Sequence, residues 1–174
     1  EENRVLKNKA DVDPLTEAFN RRFLQRYLKT AFFEAMTKER NLSCVFIDVD
    51  HFKGVNDRFG HEVGDRVLQG LVKEIKEIIR NNDVVVRFGG EEFVVVLRRV
   101  EPDVALGVAW RICKSVRGMT VTASDGTDVR VGVSIGVATH TPDDRFSGAD
   151  SLLRAADAAL YEAKSKGRDR VVRY

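Results

Sequence analysis

The alternation of helical and strand-like apolar patterns predicts an α/β (α+β) domain whose central sheet contains antiparallel pairs and is flanked by helices. Three observations carry this reading. Long segments repeat their apolar residues at helical spacing, β-branched runs of strand length lie between them, and the two kinds of segment alternate along the chain.

Each element has its own signal. Over residues 21–39, Leu24, Tyr27, Leu28, Ala31 and Ala35 mark one face of an amphipathic helix. Residues 43–49 read as a buried strand. A second helix is expected over 62–80, where Val67, Leu68, Leu71, Val72, Ile75, Ile78 and Ile79 keep the 3.6-residue period and Asn81-Asn82 ends it. Residues 83–88 and 91–98 are β-branched runs separated by Gly89-Gly90, a loop suited to positive φ in a tight hairpin. A third helix begins at Pro102 and carries Ala105, Val108, Ala109, Ile112 and Val116. Strands are expected over 119–123 and 129–138 with a turn at Asp125-Gly126, then a helix over 149–166 stopped by Gly167, and a short strand near Val171. From Ser43 onward this order is the split βαβ, ferredoxin-like arrangement. Its first strand lies centrally beside the third, so the carboxyl end of 45–49 meets the Gly89-Gly90 turn.

Composition removes several classes of function. The 174 residues carry 29 Lys+Arg against 27 Asp+Glu, a net charge of +2, and 43% are hydrophobic. Such a chain buries a core without disulfides or a structural metal. The near balance of charge argues against an electrostatic nucleic-acid binder, and no apolar run approaches the roughly 18 residues of a membrane span. The two cysteines, Cys44 and Cys113, lie far apart in apolar runs and read as reduced core residues of a cytoplasmic protein. The three histidines, His51, His61 and His140, lack zinc spacing. There is no G-x-S-x-G elbow and no P-loop. The chain starts at Glu1, and residues 1–12 read as the tail of a linker helix from an upstream domain, with the folded domain over 13–174.

The chemistry concentrates where the strand meets the turn. Asp48 and Asp50 end the strand at period-two spacing, on one face. Glu91 and Glu92 follow the glycines and come to the same end of the sheet. Singly, such residues are turn caps; clustered in a partly dry crevice, they repel one another unless a cation neutralises them. Oxygen donors of this kind suit Mg²⁺ or Mn²⁺.

Gly89-Gly90-Glu91-Glu92-Phe93 resembles the signature of GGDEF-domain diguanylate cyclases in its GGEEF form. Further motifs agree in order and spacing: Asp13-Pro14-Leu15-Thr16 with Asn20-Arg21-Arg22; Asp48-Val49-Asp50-His51-Phe52-Lys53 with Asn56-Asp57; Gly60-His61 with Gly64-Asp65; Arg87-Phe88; Ser134-Ile135-Gly136; and Ala155-Ala156-Asp157 through Lys164 to Gly167-Arg168. The family usually has Gly-Leu where this chain has Glu17-Ala18, and a tyrosine where it has Phe88.

The resemblance implies a palm-type, nucleotidyl cyclase-like fold and the condensation of two GTP into cyclic di-GMP with release of pyrophosphate. By similarity, Asp48, Glu91 and the Val49 carbonyl would hold a pair of divalent ions, Mg²⁺ or Mn²⁺. Asp50 and Glu92 would support them. Glu91, a metal-bound water or the metal itself would activate the attacking 3′-hydroxyl. Amides around His51, Phe52 and Lys53 would start a helix facing the phosphates, with Lys53, Lys164 and Arg168 balancing triphosphate charge. Gly89 and Gly90 would let backbone approach the nucleotide. Asp65, assisted by Asn56, would accept the guanine N1–H and N2 donors. Arg80-Asn81-Asn82-Asp83 matches the family's R-x-x-D product-inhibition motif, which implies a cyclic di-GMP site using Arg80 and Asp83 with Arg111 as a further arginine. Cyclisation would need a homodimer with facing sites, and an upstream sensory domain would regulate it. The rival readings are a silent GTP or cyclic di-GMP receptor, another nucleotidyl cyclase or polymerase-palm enzyme with a different base, and, last, a purely structural partner-binding domain.

Overall fold

In the computed structural model, residues 8–174 are described. In chain order the elements are β1 (Phe19–Asn20), α1 (Arg21–Thr37), β2 (Leu42–Val49), α2 (Phe52–Phe59), α3 (His61–Ile78), β3 (Val84–Arg87), β4 (Glu92–Arg98), α4 (Pro102–Gly118), β5 (Val121–Thr122), β6 (Asp128–Val129), β7 (Val133–His140), α5 (Ala149–Ser165) and β8 (Val171–Arg173). The six-stranded sheet runs β1-β3-β4-β2-β7-β8, and β5 and β6 form a separate hairpin. Central β2 is antiparallel to both β4 and β7, while the edge strands β1 and β8 pair in parallel. The β3-β4-β2-β7 core is the split βαβ order expected from the sequence.

β2 is buried along its whole length because both faces of the sheet are covered. Val45, Ile47 and Val49 pack on one side with Leu71 and Ile75 of α3 and Ile112 and Val116 of α4. Cys44 and Phe46 face the other side, against Leu24 and Phe32 of α1 and Leu152 and Leu160 of α5. Each such side chain contributes about 1.5–3 kcal/mol by leaving water. At Gly136 an added Cβ would lie 2.1 Å from the Ala156 carbonyl oxygen, so the absence of a side chain lets α5 lie directly on β7.

Several boundaries differ from the sequence expectation. The helix expected over 62–80 ends at Ile78, and Gly60, at φ +88°, separates it from the shorter α2. The 119–123 strand stays outside the main sheet, and the 129–138 run breaks because Asp128–Val129 pairs with β5 before β7 begins. Gly89 and Gly90 do not adopt positive φ. The turn is longer than two residues, since β3 ends at Arg87 and β4 begins at Glu92, and that length removes the need for a left-handed residue.

Of the expected linker tail 1–12, residues 1–7 lie outside the described part. Residues 8–12 contain a 3₁₀ turn, Lys9–Asp11, tied to α1 by the 2.7 Å Arg26–Asp11 ion pair and by the Asn20 side-chain amide, which donates to the Ala10 carbonyl. Glu17 lies at φ +61°. That left-handed conformation explains why a glycine suits the position, and it leaves this chain a strained residue in the entry turn.

Candidate active site

The site is built at the carboxyl end of β2. Asp48 is paired in register with Glu92 of β4 and Ser134 of β7, which sets carboxylates from two strands on one face. The last turn of α5 delivers Lys164, whose Nζ donates to Asp48 Oδ2 at 2.6 Å. Burial raises the Asp48 pKa above the ordinary carboxylate range, Lys164 opposes that shift, Asp50 adds to it, and Arg168 lowers it. Glu91 and Glu92 are raised by burial first and by the Asp48 charge second, with Asp157 of α5 adding to the shift at Glu92. These are desolvated, mutually repelling oxygen donors that share one lysine, which is the condition a divalent cation relieves. Among the described residues no three His, Cys, Asp or Glu side chains already converge as a metal centre. The donor chemistry, oxygen ligands alone, fits Mg²⁺ or Mn²⁺.

Asp50 lies close enough to Asp48 for its charge to add to the raised pKa there, and it is also tied into the fold. Its Oδ1 accepts from Ser134 Oγ at 2.6 Å and its Oδ2 from the Asp169 backbone N–H at 2.9 Å. Both carboxylate oxygens are thus committed inside the fold, because the chain turns after Val49 and carries Asp50 toward the loop that follows α5.

The signature loop is held from outside itself. Arg87 donates from Nε and Nη2 to the Gly90 carbonyl, at 3.1 and 2.8 Å, and from Nη1 to Asp13 at 3.3 Å. One guanidinium therefore joins the chain's entry turn to the loop that carries Glu91. The Val49 N–H also donates to the Glu91 carbonyl at 3.2 Å. Gly89 is closely approached by its neighbour, since a Cβ there would lie 3.0 Å from Glu92 Oε2. Arg21 stacks over Phe88, 4.3 Å from the ring centroid, and Phe88 meets Phe46 edge-on. Adjacency to the signature is the sequence signal for Arg87, and its task emerges only from these contacts.

The residues expected around the guanine, with Phe52 and Lys53, lie on α2 and α3. His51 enters α2 at φ +53°, Phe52 is buried, and Lys53 is exposed in the first turn. Asn56 reaches back toward α3, where Gly64 makes room for it: a Cβ at Gly64 would lie 1.9 Å from Asn56 Oδ1. That oxygen is buried and has no hydrogen-bond partner. Asp65 follows Gly64 and is exposed. The structure thus sets Asn56 beside the residue preceding Asp65. Arg168 lies past the end of α5 at φ +66°.

The expected inhibitory residues lie at the other end of β4. Arg80 forms a fork on Asp83, Nε to Oδ2 at 3.0 Å and Nη2 to Oδ1 at 2.9 Å, and Nη2 also donates to the Arg98 carbonyl at 2.7 Å. The Asp83 side chain is 2% exposed and that of Arg80 55%, so the aspartate anchors and the arginine presents. Arg111 is exposed on α4.

A split βαβ sheet that offers desolvated carboxylates and a lysine at the end of its central strand is a palm-type domain suited to metal-assisted nucleotidyl transfer. The family described as "Diguanylate cyclase, GGDEF domain" matches residues 10–170, and the chain belongs to it. It is 44% identical over 134 residues to diguanylate cyclase A of Treponema denticola, covering 77% of this chain and 35% of that protein. It is 36% identical to diguanylate cyclase DosC of Escherichia coli, over 96% of this chain and 36% of that protein. The chain therefore spans about a third of the length of these relatives. Among solved structures, the GGDEF domain of DgcB from Caulobacter crescentus in complex with c-di-GMP superposes with TM-score 0.89 at 30% identity, covering 97% of this chain and 98% of that one. SiaD of Pseudomonas aeruginosa, in complex with its activator SiaC, gives 0.88 at 34%, over 94% and 61%. Among the described residues no helix is long and apolar enough to cross a membrane.

Proposed function

We propose that the chain is a catalytic domain that condenses two GTP molecules into cyclic di-GMP. The observation that carries this reading is the meeting of carboxylates at the end of β2: Asp48 stands in register with Glu92, the Val49 N–H holds the Glu91 carbonyl, and Lys164 is seated on Asp48. Asp48, Glu91 and the Val49 carbonyl would hold a pair of Mg²⁺ or Mn²⁺ ions, which supply Lewis-acid polarisation of the α-phosphate and offset charge on the departing pyrophosphate.

The remaining work falls to the chain's own groups. Lys53 at the start of α2, Lys164 and Arg168 balance the triphosphate. The unpartnered Asn56 oxygen and the exposed Asp65 carboxylate accept the guanine N1–H and N2 donors. The 3′-oxygen of one GTP forms a bond to the α-phosphorus of the other, the bond to the β-phosphate oxygen breaks, and Glu91 accepts the hydroxyl proton. Repeating the step with the roles exchanged closes the ring. Each chain holds one GTP, so the two sites must face each other in a homodimer. Arg80 and Asp83, with Arg111, form a cyclic di-GMP inhibitory site. GTP as substrate fits a domain that works in the cytoplasm.

The test is incubation of concentrated protein with GTP and Mg²⁺ and mass detection of products, beside an ATP control and Glu91→Ala. Cyclic di-GMP that forms only from GTP and only with the intact protein supports the reading. Absence of turnover at every concentration, with tight binding of cyclic di-GMP, overturns it in favour of a receptor.

A further inference from the structure

The loop after α5 contains three consecutive residues at positive φ: Gly167 at +111°, Arg168 at +66° and Asp169 at +45°. Only the first is a glycine. Side-chain-bearing residues stay in this region when surrounding structure over-determines them, and here the restraints are visible. The Arg168 N–H donates to the Ala163 carbonyl at 3.0 Å, which closes the end of α5. The Asp169 N–H donates to Asp50 Oδ2 at 2.9 Å. Arg117, in the last turns of α4, donates from Nε to Asp169 Oδ2 at 2.9 Å and from Nη2 to the Asp169 carbonyl at 3.2 Å. Asp50 is fixed in turn by Ser134 at 2.6 Å. Gly132 closes the gap, since a Cβ there would lie 3.1 Å from both Asp169 Oδ1 and Asp50 Oδ2.

We propose that Arg117 and Asp169 are positioning residues for triphosphate binding, acting through Asp50 to hold Lys164 and Arg168 at the mouth of the site. The inference rests on the reading of function above and deepens it. Arg117 belongs to none of the motifs that carry the family resemblance. It grips the strained turn by two contacts, to side chain and backbone of one residue. The held turn begins where α5 ends, immediately after Lys164 has reached Asp48, and its next side chain, Arg168, lies near enough to Asp48 for its charge to act there. The Asp50 carboxylate links this turn to the strand end that presents Asp48. If the turn relaxes, the phosphate-facing cations move away while the carboxylates of β2 and β4 remain.

The experiment compares Arg117→Met, Arg117→Lys and Asp169→Asn with wild type in GTP turnover with Mg²⁺, alongside thermal melts. Arg117→Met is expected to raise the KM for GTP roughly five- to tenfold with kcat within about twofold, because ground-state phosphate contacts are what it disturbs. Arg117→Lys, which keeps the charge and loses the fork, is expected to lie between. Asp169→Asn keeps the N–H to Asp50 and tolerates the left-handed turn, so it is expected to raise KM less than Arg117→Met. An unchanged KM in Arg117→Met, or a melting temperature that drops with kcat and KM unaltered, overturns the proposal while wild-type turnover leaves the functional reading standing. A wild type that forms no cyclic di-GMP overturns that reading first, and this proposal with it.

Discussion

Lys164 Nζ lies 2.6 Å from Asp48 Oδ2 although 116 residues separate them in the chain. The lysine is an internal cation seated on the carboxylate that would otherwise face Glu91 and Glu92 uncompensated. Because these folded-state pKa values lie above the ordinary ones, the set favours folding below about pH 4 and that contribution is lost as pH rises through the raised values. Millimolar Mg²⁺ is expected to restore it, raising the melting temperature at pH 8 with an effect that fades toward pH 5 as protons compete for the oxygens. Glu91→Gln is expected to lose this response and to lower synthesis by about 100-fold or more. A Glu91→Gln protein whose melt still answers Mg²⁺ as wild type does counts against that assignment.

Gly64→Ala is expected to act on nucleotide binding more than on folding. The new methyl would meet Asn56 Oδ1 and Cγ and crowd Phe52 at 3.2 Å. The Asn56 side chain can swing away, at a stability cost of about 1 kcal/mol, but guanine then loses its acceptor. Titration with a fluorescent GTP analogue is expected to show affinity reduced about tenfold. Equal affinity in both proteins would refute the role given to Asn56.

Glu17→Gly is expected to stabilise the domain. Glu17 holds φ +61°, and Lys76 Nζ donates to its carbonyl at 3.1 Å, a contact that does not use the glutamate side chain. Relief of left-handed strain, less the added freedom of glycine when unfolded, gives about 0.5–1 kcal/mol. Urea denaturation reads this directly, and a lower midpoint for Glu17→Gly contradicts it.

Arg80 and Asp83 are expected to separate in effect. Asp83 is buried and accepts from the Arg80 backbone N–H as well as from the guanidinium, and from the Arg98 backbone N–H. Asp83→Ala strands those donors and should cost about 2–3 kcal/mol in a chemical melt. Arg80→Ala is expected to lift product inhibition and leave synthesis intact. Inhibition by added cyclic di-GMP that is unchanged in Arg80→Ala would reject the site.

His140 supplies a pH dependence remote from the carboxylates. It is buried against the Phe32 ring at 4.8 Å, and its Nδ1 accepts from the Phe146 N–H at 3.1 Å. Burial and then the Arg145 charge lower its pKa, with Asp144 opposing. A depressed folded pKa gives stability that is present above about pH 6.5 and lost as pH falls through the folded value. His140→Gln should flatten the melting temperature between pH 7 and pH 5 relative to wild type; parallel curves would exclude His140 as the cause.

The sequence by itself determined the four long helices and the strands of the central sheet other than β1, the family through co-ordered motifs, and the meeting of Asp48 with the Gly89–Glu92 turn. Each of these follows from local periodicity or from strand pairing that the split βαβ order imposes. Local pattern alone reads Gly89-Gly90 as a positive-φ hairpin, because a glycine pair between two strand-like runs favours a two-residue turn. Tertiary structure decided the rest. Arg87 on Gly90 and Asp13, Asn56 in the space left by Gly64, and Arg117 on Asp169 are contacts between segments with no shared local pattern. Hydrogen-bond partners of this kind are set by which atoms remain unpaired once the two faces of the sheet are covered, and only the packed molecule shows that.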